Sequence, residues 1–108
     1  MLKSIKIDLE DLKSNKLNES YVAQFAADIE YLLHYLYAPS LSQQPTITVS
    51  GKKADLKVLS SLLASEKKYM DAYLKYGLGD PQVTNNKWRL EQAVYKFETD
   101  TGLKWPLR

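Results

Sequence analysis

Lys75-Tyr76-Gly77-Leu78 and Thr101-Gly102-Leu103 close two amphipathic runs in the same manner, with a glycine followed by a leucine. Glycine just past a helix takes positive φ without a Cβ clash, and the following apolar residue can fold back onto the last turn. Two such stops 25 positions apart, with Asp80-Pro81 between them, predict two consecutive helices. The first covers residues 52–76, with a stripe of Leu56, Leu59, Leu63, Met70, Tyr73 and Leu74 and with Leu62 and Tyr69 on one shoulder. The second starts at Asp80-Pro81, an N-cap with proline at the first helical position, or at Thr84–Asn86. It buries Leu90, Val94 and Phe97 and ends at Gly102. The tail Leu103-Lys104-Trp105-Pro106-Leu107 is too apolar to hang in water and is expected to pack.

Upstream, Ile5, Ile7 and Leu9 alternate with Lys6 and Asp8, which reads as a short half-buried strand. Asp8 is placed to cap a single helical turn over Leu9–Leu12 that ends near Ser14-Asn15. Leu17-Asn18-Glu19 then reads as staple, N-cap and first-turn acid, with Leu17 reaching Val22 across the cap. Val22, Phe25, Ala26, Ile29, Leu32, Leu33 and Leu36 follow at helical spacing, and this helix stops near Tyr37, ahead of Pro39. Residues 39–46 form a loop rich in proline, serine and glutamine. Thr46-Ile47-Thr48-Val49 is a second brief strand, turned into the next helix by Ser50-Gly51. Both a right-handed parallel unit and an antiparallel pair fit two strands separated by a helix. The expected fold is mainly α with a minor β component: a three-helix domain with a two-stranded sheet over residues 4–9 and 46–49, in a single helical domain spanning residues 1–108.

Composition narrows the function classes without naming one. The 108 residues are 44% apolar and 26% charged, ordinary values for one globular domain. A net charge of +2 does not imply a polyanion partner, and the absence of cysteine removes disulfides, thiol nucleophiles and cysteine metal sites. There is no signal-peptide core and no bilayer-length apolar run. The most apolar stretch, Ile29–Ala38, is broken by Glu30 and His34. No membrane association is expected, and the expected location is the cytoplasm. Tyrosine is the outlier, with 8 copies beside two tryptophans and two phenylalanines. Such side chains suit wet core rims and interfaces alike.

Few constellations carry chemistry. His34, the only histidine, lies four residues from Glu30 and off the apolar stripe, with nothing nearby to complete a metal set. Thr48-Val49-Ser50-Gly51-Lys52-Lys53 resembles a phosphate loop but has Thr46 where the first glycine belongs and Lys53 where a Ser or Thr belongs. No catalytic, cofactor-binding or metal residue is assigned, and no cofactor is expected. Glu66 falls near the centre of an apolar stripe, so its carboxylate must find partners or move its pKa, as a structural hydrogen-bonded group, one snorkelling at the helix edge, or a functional acid. A tyrosine hydroxyl, Lys87, Arg89 and the Trp105 indole are the candidate partners. Lys53, Lys57, Lys68 and Lys75 share the polar face of the 52–76 helix, a candidate basic surface that lacks arginine and interleaved aromatics. Trp88 and Tyr95 lie seven apart, off the Leu90–Val94–Phe97 stripe. With Trp105 they make the candidate interaction surface, burial and partner contact both fitting the pattern. Gly77, Asp80, Pro81 and Gly102 are structural caps.

Residues 66–81, from Glu66-Lys67-Lys68-Tyr69 to Gly79-Asp80-Pro81, and Phe97-Glu98…Thr101-Gly102-Leu103-Lys104-Trp105-Pro106 resemble small uncharacterised proteins of tailed, often marine, bacteriophages. The resemblance runs over residues 66–108 and implies a viral context, hence host cytoplasm or virion, with no activity or site attached. Together these features favour a non-enzymatic interaction or assembly protein, phage-encoded, working through an aromatic helical surface with a protein partner or with itself as a homodimer. The alternative is a weak nucleic-acid-binding accessory protein using the lysine face.

Overall fold

A computed structural model describes residues 4–37 and 46–107; the side chains of Leu36 and Tyr37 fall outside that description, as do the expected Pro39 stop and nearly all of the 39–46 loop. Within the described residues, two strands and four helices run in the order β1 (Ser4–Asp8), α1 (Leu9–Ser14), α2 (Glu19–Tyr37), β2 (Thr46–Ser50), α3 (Lys53–Tyr76) and α4 (Pro81–Thr101). The chain is mostly helical, and its sheet has two strands. They pair in parallel with Ile5 opposite Ile47 and Ile7 opposite Val49, so of the two pairings open to the sequence the parallel one is formed. A two-stranded sheet is marginal by itself. Here Ile5 and Ile7 are sealed under helices, while Ile47 and Val49 stay half-buried.

Local chemistry explains the boundaries. Asp8 accepts the backbone N–H groups of Glu10 and Asp11 at 3.1 and 3.2 Å, which ends β1 and starts α1. Asn18 caps α2 by accepting from Ser20 N–H at 2.9 Å. The staple expected across that cap is not formed: Leu17 is 92% exposed and Val22 is 49% exposed. The first turns of α2 run outside the core, and Phe25 is its first buried residue. Asp80 accepts from Gln82 N–H at 2.8 Å with Pro81 as the first helical residue, so α4 starts at the earlier of its two candidate positions.

The two glycine stops share a sign of φ but send the chain in different directions. Gly102 has φ 73° and ψ 4°, the left-handed conformation, and Leu103 turns back into the core. Gly77 has φ 79° but ψ 168°, so the chain leaves α3 extended and Leu78 is 76% exposed. The fold-back expected at Leu78 therefore does not occur.

α3 and α4 form an antiparallel helical hairpin, α2 packs against α3, and the sheet meets α1 and α2. Phe25, Phe97 and Trp105 meet at the centre, with ring centroids 5.4–6.5 Å apart. Trp105 has no exposed surface, which corrects its assignment to an interaction surface. An apolar tail following a left-handed turn gains more by filling the core than by waiting in water. Tyr73 and Leu74 differ from expectation as well: both are exposed, because nothing on α3 beyond Ala72 is buried. Periodicity names a face but not how far along it the partner extends. Away from the apolar centre, Lys13 of α1 bonds the buried carboxylate of Asp55 on α3. That hydrogen bond and charge raise the Lys13 pKa above its ordinary 10.5.

Both the glycine stops and the Lys13–Asp55 contact can be tested by substitution. Alanine at Gly102 should cost about 1 kcal/mol, and at Gly77, whose φ/ψ pair is almost confined to glycine, about 2 kcal/mol, measured by urea unfolding. Lys13→Met should lower the thermal midpoint at neutral pH by stranding Asp55. A raised Lys13 pKa means its contribution is complete below 10.5 and lost as pH climbs through the folded-state value. On the alkaline side the gap between wild type and variant should therefore persist until strong alkali.

Candidate functional site

α4 sorts its aromatic residues onto opposite faces. Leu90, Val94 and Phe97 point into the core, while Trp88 and Tyr95 are 61% and 70% exposed on the solvent side. Seven residues is nearly two helical turns, so the two rings lie about 10 Å apart along one stripe. Thr84, Glu91, Gln92 and Thr99, all exposed, surround them on that face. The indole N–H and the phenol give this aromatic pair two polar tips. Of the three candidate anchors, the fold thus brings Trp88 and Tyr95 together on the surface and withdraws Trp105.

The basic face is also present as a geometric fact. Lys53, Lys57, Lys68 and Lys75 are all exposed, on the side of α3 away from its buried residues. Of the acids on α3, Asp55 bonds Lys13, Glu66 lies in the core, and exposed Asp71 pairs with Lys67 at 2.9 Å. Lys75 also sits 5.3 Å from the Tyr76 ring centroid. The cations of this face are all lysine, with Asp71 among them, and Tyr76 is an aromatic contact at its far end.

Glu66 is 2% exposed, and its Oε2 accepts the Trp105 indole N–H at 2.8 Å, so the indole is one of its partners. Among the described residues no buried side-chain nitrogen or oxygen lacks a hydrogen-bond partner. Glu66 also lines a depression of about 450 Å³ with Glu30, His34 and Tyr69, so tertiary packing gathers groups that lie far apart in sequence. His34 is exposed there. No group of three or more His, Asp or Glu side chains among the described residues is arranged to hold a metal ion. The caps Gly77, Asp80, Pro81 and Gly102 lie at helix ends and do not join these surfaces.

A feature missed from sequence lies beside β2. Leu32 and Tyr35 of α2, Ile47 and Val49 of β2, and Leu56 and Leu63 of α3 wall an apolar groove of about 480 Å³. Among the described residues that line it, Lys67 alone is charged. Its signal in the sequence is the uncharged run Thr46-Ile47-Thr48-Val49-Ser50, legible as a strand but not as the wall of a groove. None of the helices described is long and apolar enough to cross a membrane. No protein-family model, curated protein or solved structure matches the chain.

The buried carboxylate yields a direct test. Glu66→Leu should cost about 1–3 kcal/mol, the penalty for a buried indole N–H left without an acceptor. Glu66→Gln keeps an acceptor and should cost less. His34→Ala, on the rim of the same fold, should shift stability by under ~1 kcal/mol. Chemical denaturation of the three variants measures all of these.

Proposed function

We propose that this chain is a non-enzymatic interaction or assembly protein that docks a protein partner on the solvent face of α4. The observation carrying this reading is the exposure of Trp88 and Tyr95 together on one helical stripe. Large amphipathic rings gain most when desolvated against a partner while their polar tips stay bonded, and such anchors dominate binding energies. Spacing of i and i+7 on a helix suits a partner with an apolar groove that accepts the stripe lengthwise. The resemblance of residues 66–108 to small phage proteins supports a phage-encoded origin, with action in the host cytoplasm or in the virion. Glu66, a carboxylate buried at the apolar centre, is engaged by Trp105, which supports a structural role for it.

A second reading has its own observation, the four exposed lysines of α3. It makes the chain a weak nucleic-acid-binding accessory protein whose retention falls steeply with salt. Lysine without arginine or stacked aromatics favours the first reading.

A photo-crosslinking residue in place of Tyr95, in the cells that make the protein, separates the two. A discrete protein adduct that disappears with Trp88→Ser is expected, and Trp88→Ser should weaken the purified complex by about 2 kcal/mol or more, roughly 30-fold in Kd. The reading fails if position 95 yields no more adduct than Lys53 does. Salt-sensitive retention on DNA or RNA, lost in Lys57→Glu/Lys68→Glu, would replace it with the second.

A further inference from the structure

We propose that the outer edge of β2 is a self-association site, where two copies of this chain join about a two-fold axis into one four-stranded sheet ordered β1-β2-β2-β1. Among the described residues, β2 pairs with β1 on one side and with no strand on the other. In a parallel pair, alternate residues turn their N–H and C=O groups away from the neighbouring strand. Among the described residues, no hydrogen bond reaches those outward groups of Thr46–Ser50. An unpaired edge is a template for another strand unless charge, proline or a bulge blunts it. β1 carries Lys6 and Asp8, and a depression shared with Gln24, Phe25 and Asp28 of α2 flanks it. β2, reading Thr-Ile-Thr-Val-Ser from 46 to 50, holds no charge, no proline and no glycine.

Symmetry selects the register. Two identical strands related by a two-fold axis perpendicular to their sheet must run antiparallel. Residues directly opposite share a face, so a residue must pair with its own counterpart or with one an even number of positions away. Centring the axis on Thr48 uses all five residues: Thr48 meets Thr48, Ile47 meets Val49, and Thr46 meets Ser50. Aliphatic then faces aliphatic and hydroxyl faces hydroxyl along the junction, and both apolar faces lie on the same side of the joined sheet.

Five cross-strand residue pairs alone bury less than the roughly 1,200 Å² or more that a stable interface needs. The groove beside β2 supplies the remainder. Its walls include Ile47 and Val49 but no residue of β1, so it lies on the β2 side of the sheet, toward the proposed axis. Two such grooves meeting across the axis bring Leu56 and Leu63 of each copy to the shared apolar layer. This surface has no residue in common with the α4 stripe and does not depend on it.

Light scattering across a concentration series tests the proposal. Wild type should reach twice the 12.4 kDa of one chain. Thr48, exposed and at the centre of the junction, is the probe: Thr48→Lys or Thr48→Glu alone should stay at single-chain mass, because like charges then face each other. Mixing the two variants should restore the doubled mass. Trp88→Ser/Tyr95→Ser should leave the doubling intact, which separates this site from the α4 reading. Hydrogen exchange on wild type needs no variant, and the outward amides of Thr46–Ser50 should slow as concentration rises. Single-chain mass for wild type at the highest concentration reached, doubled mass for either charged variant alone, or concentration-independent exchange at β2 would each overturn it.

Discussion

The burial of Trp105 is the constraint on which the rest of the packing rests. Its indole stacks edge-on against Phe25 of α2 and Phe97 of α4, and its N–H donates to Glu66 of α3. One side chain therefore ties three helices, and it comes from a tail that belongs to none of them. The tail arrives there because Gly102 turns the chain through the left-handed conformation and Glu98 accepts the Trp105 backbone N–H at 2.8 Å. Thr101 supports the same turn, its hydroxyl accepting from Leu103 N–H at 3.1 Å. Burying a carboxylate at such a centre is tolerable only when it is bonded, which makes Glu66 and Trp105 mutually dependent.

The surplus of tyrosine resolves into two populations. Tyr31, Tyr35 and Tyr69 are half-buried, and Tyr31 and Tyr69 pack against the core. Tyr21, Tyr73, Tyr76 and Tyr95 are exposed. With Trp88, Leu74 and Leu78 they leave more large apolar side chains in water than scattered exposure on a small domain requires. Much of that surface lies on the α3–α4 hairpin, whose far end α3 leaves without a buried residue beyond Ala72. A hairpin of this kind presents side chains on a rigid backbone, which suits recognition better than a loop would.

The sheet plays a different part. Parallel strands normally lie under helices on both faces, and two strands do not hold themselves together. β1 satisfies that demand with Ile5 and Ile7 buried, while β2 meets it only halfway with Ile47 and Val49. The asymmetry leaves an edge and a groove together on the β2 side, next to elements that are otherwise closed. Lys13 and Asp55 join α1 to α3 beside the sheet.

Local chemistry in the sequence determined the elements and their ends. Asp8, Asn18 and Asp80 cap helices where their side chains can reach free N–H groups, Gly77 and Gly102 take positive φ, and alternation places Ile5 and Ile7 inward. Each of these depends on neighbours within about four residues, which is the range a sequence pattern encodes. Tertiary structure alone decided the parallel pairing, the choice of Trp105 as donor to Glu66, and the exposure of Leu17, Tyr73 and Leu74. It also left Trp88 and Tyr95 outside on α4 while drawing Trp105 of the tail in, although all three are amphipathic aromatics. The reason is that periodicity specifies which face of a helix is apolar, whereas burial depends on where another element ends and what remains beside it to be covered.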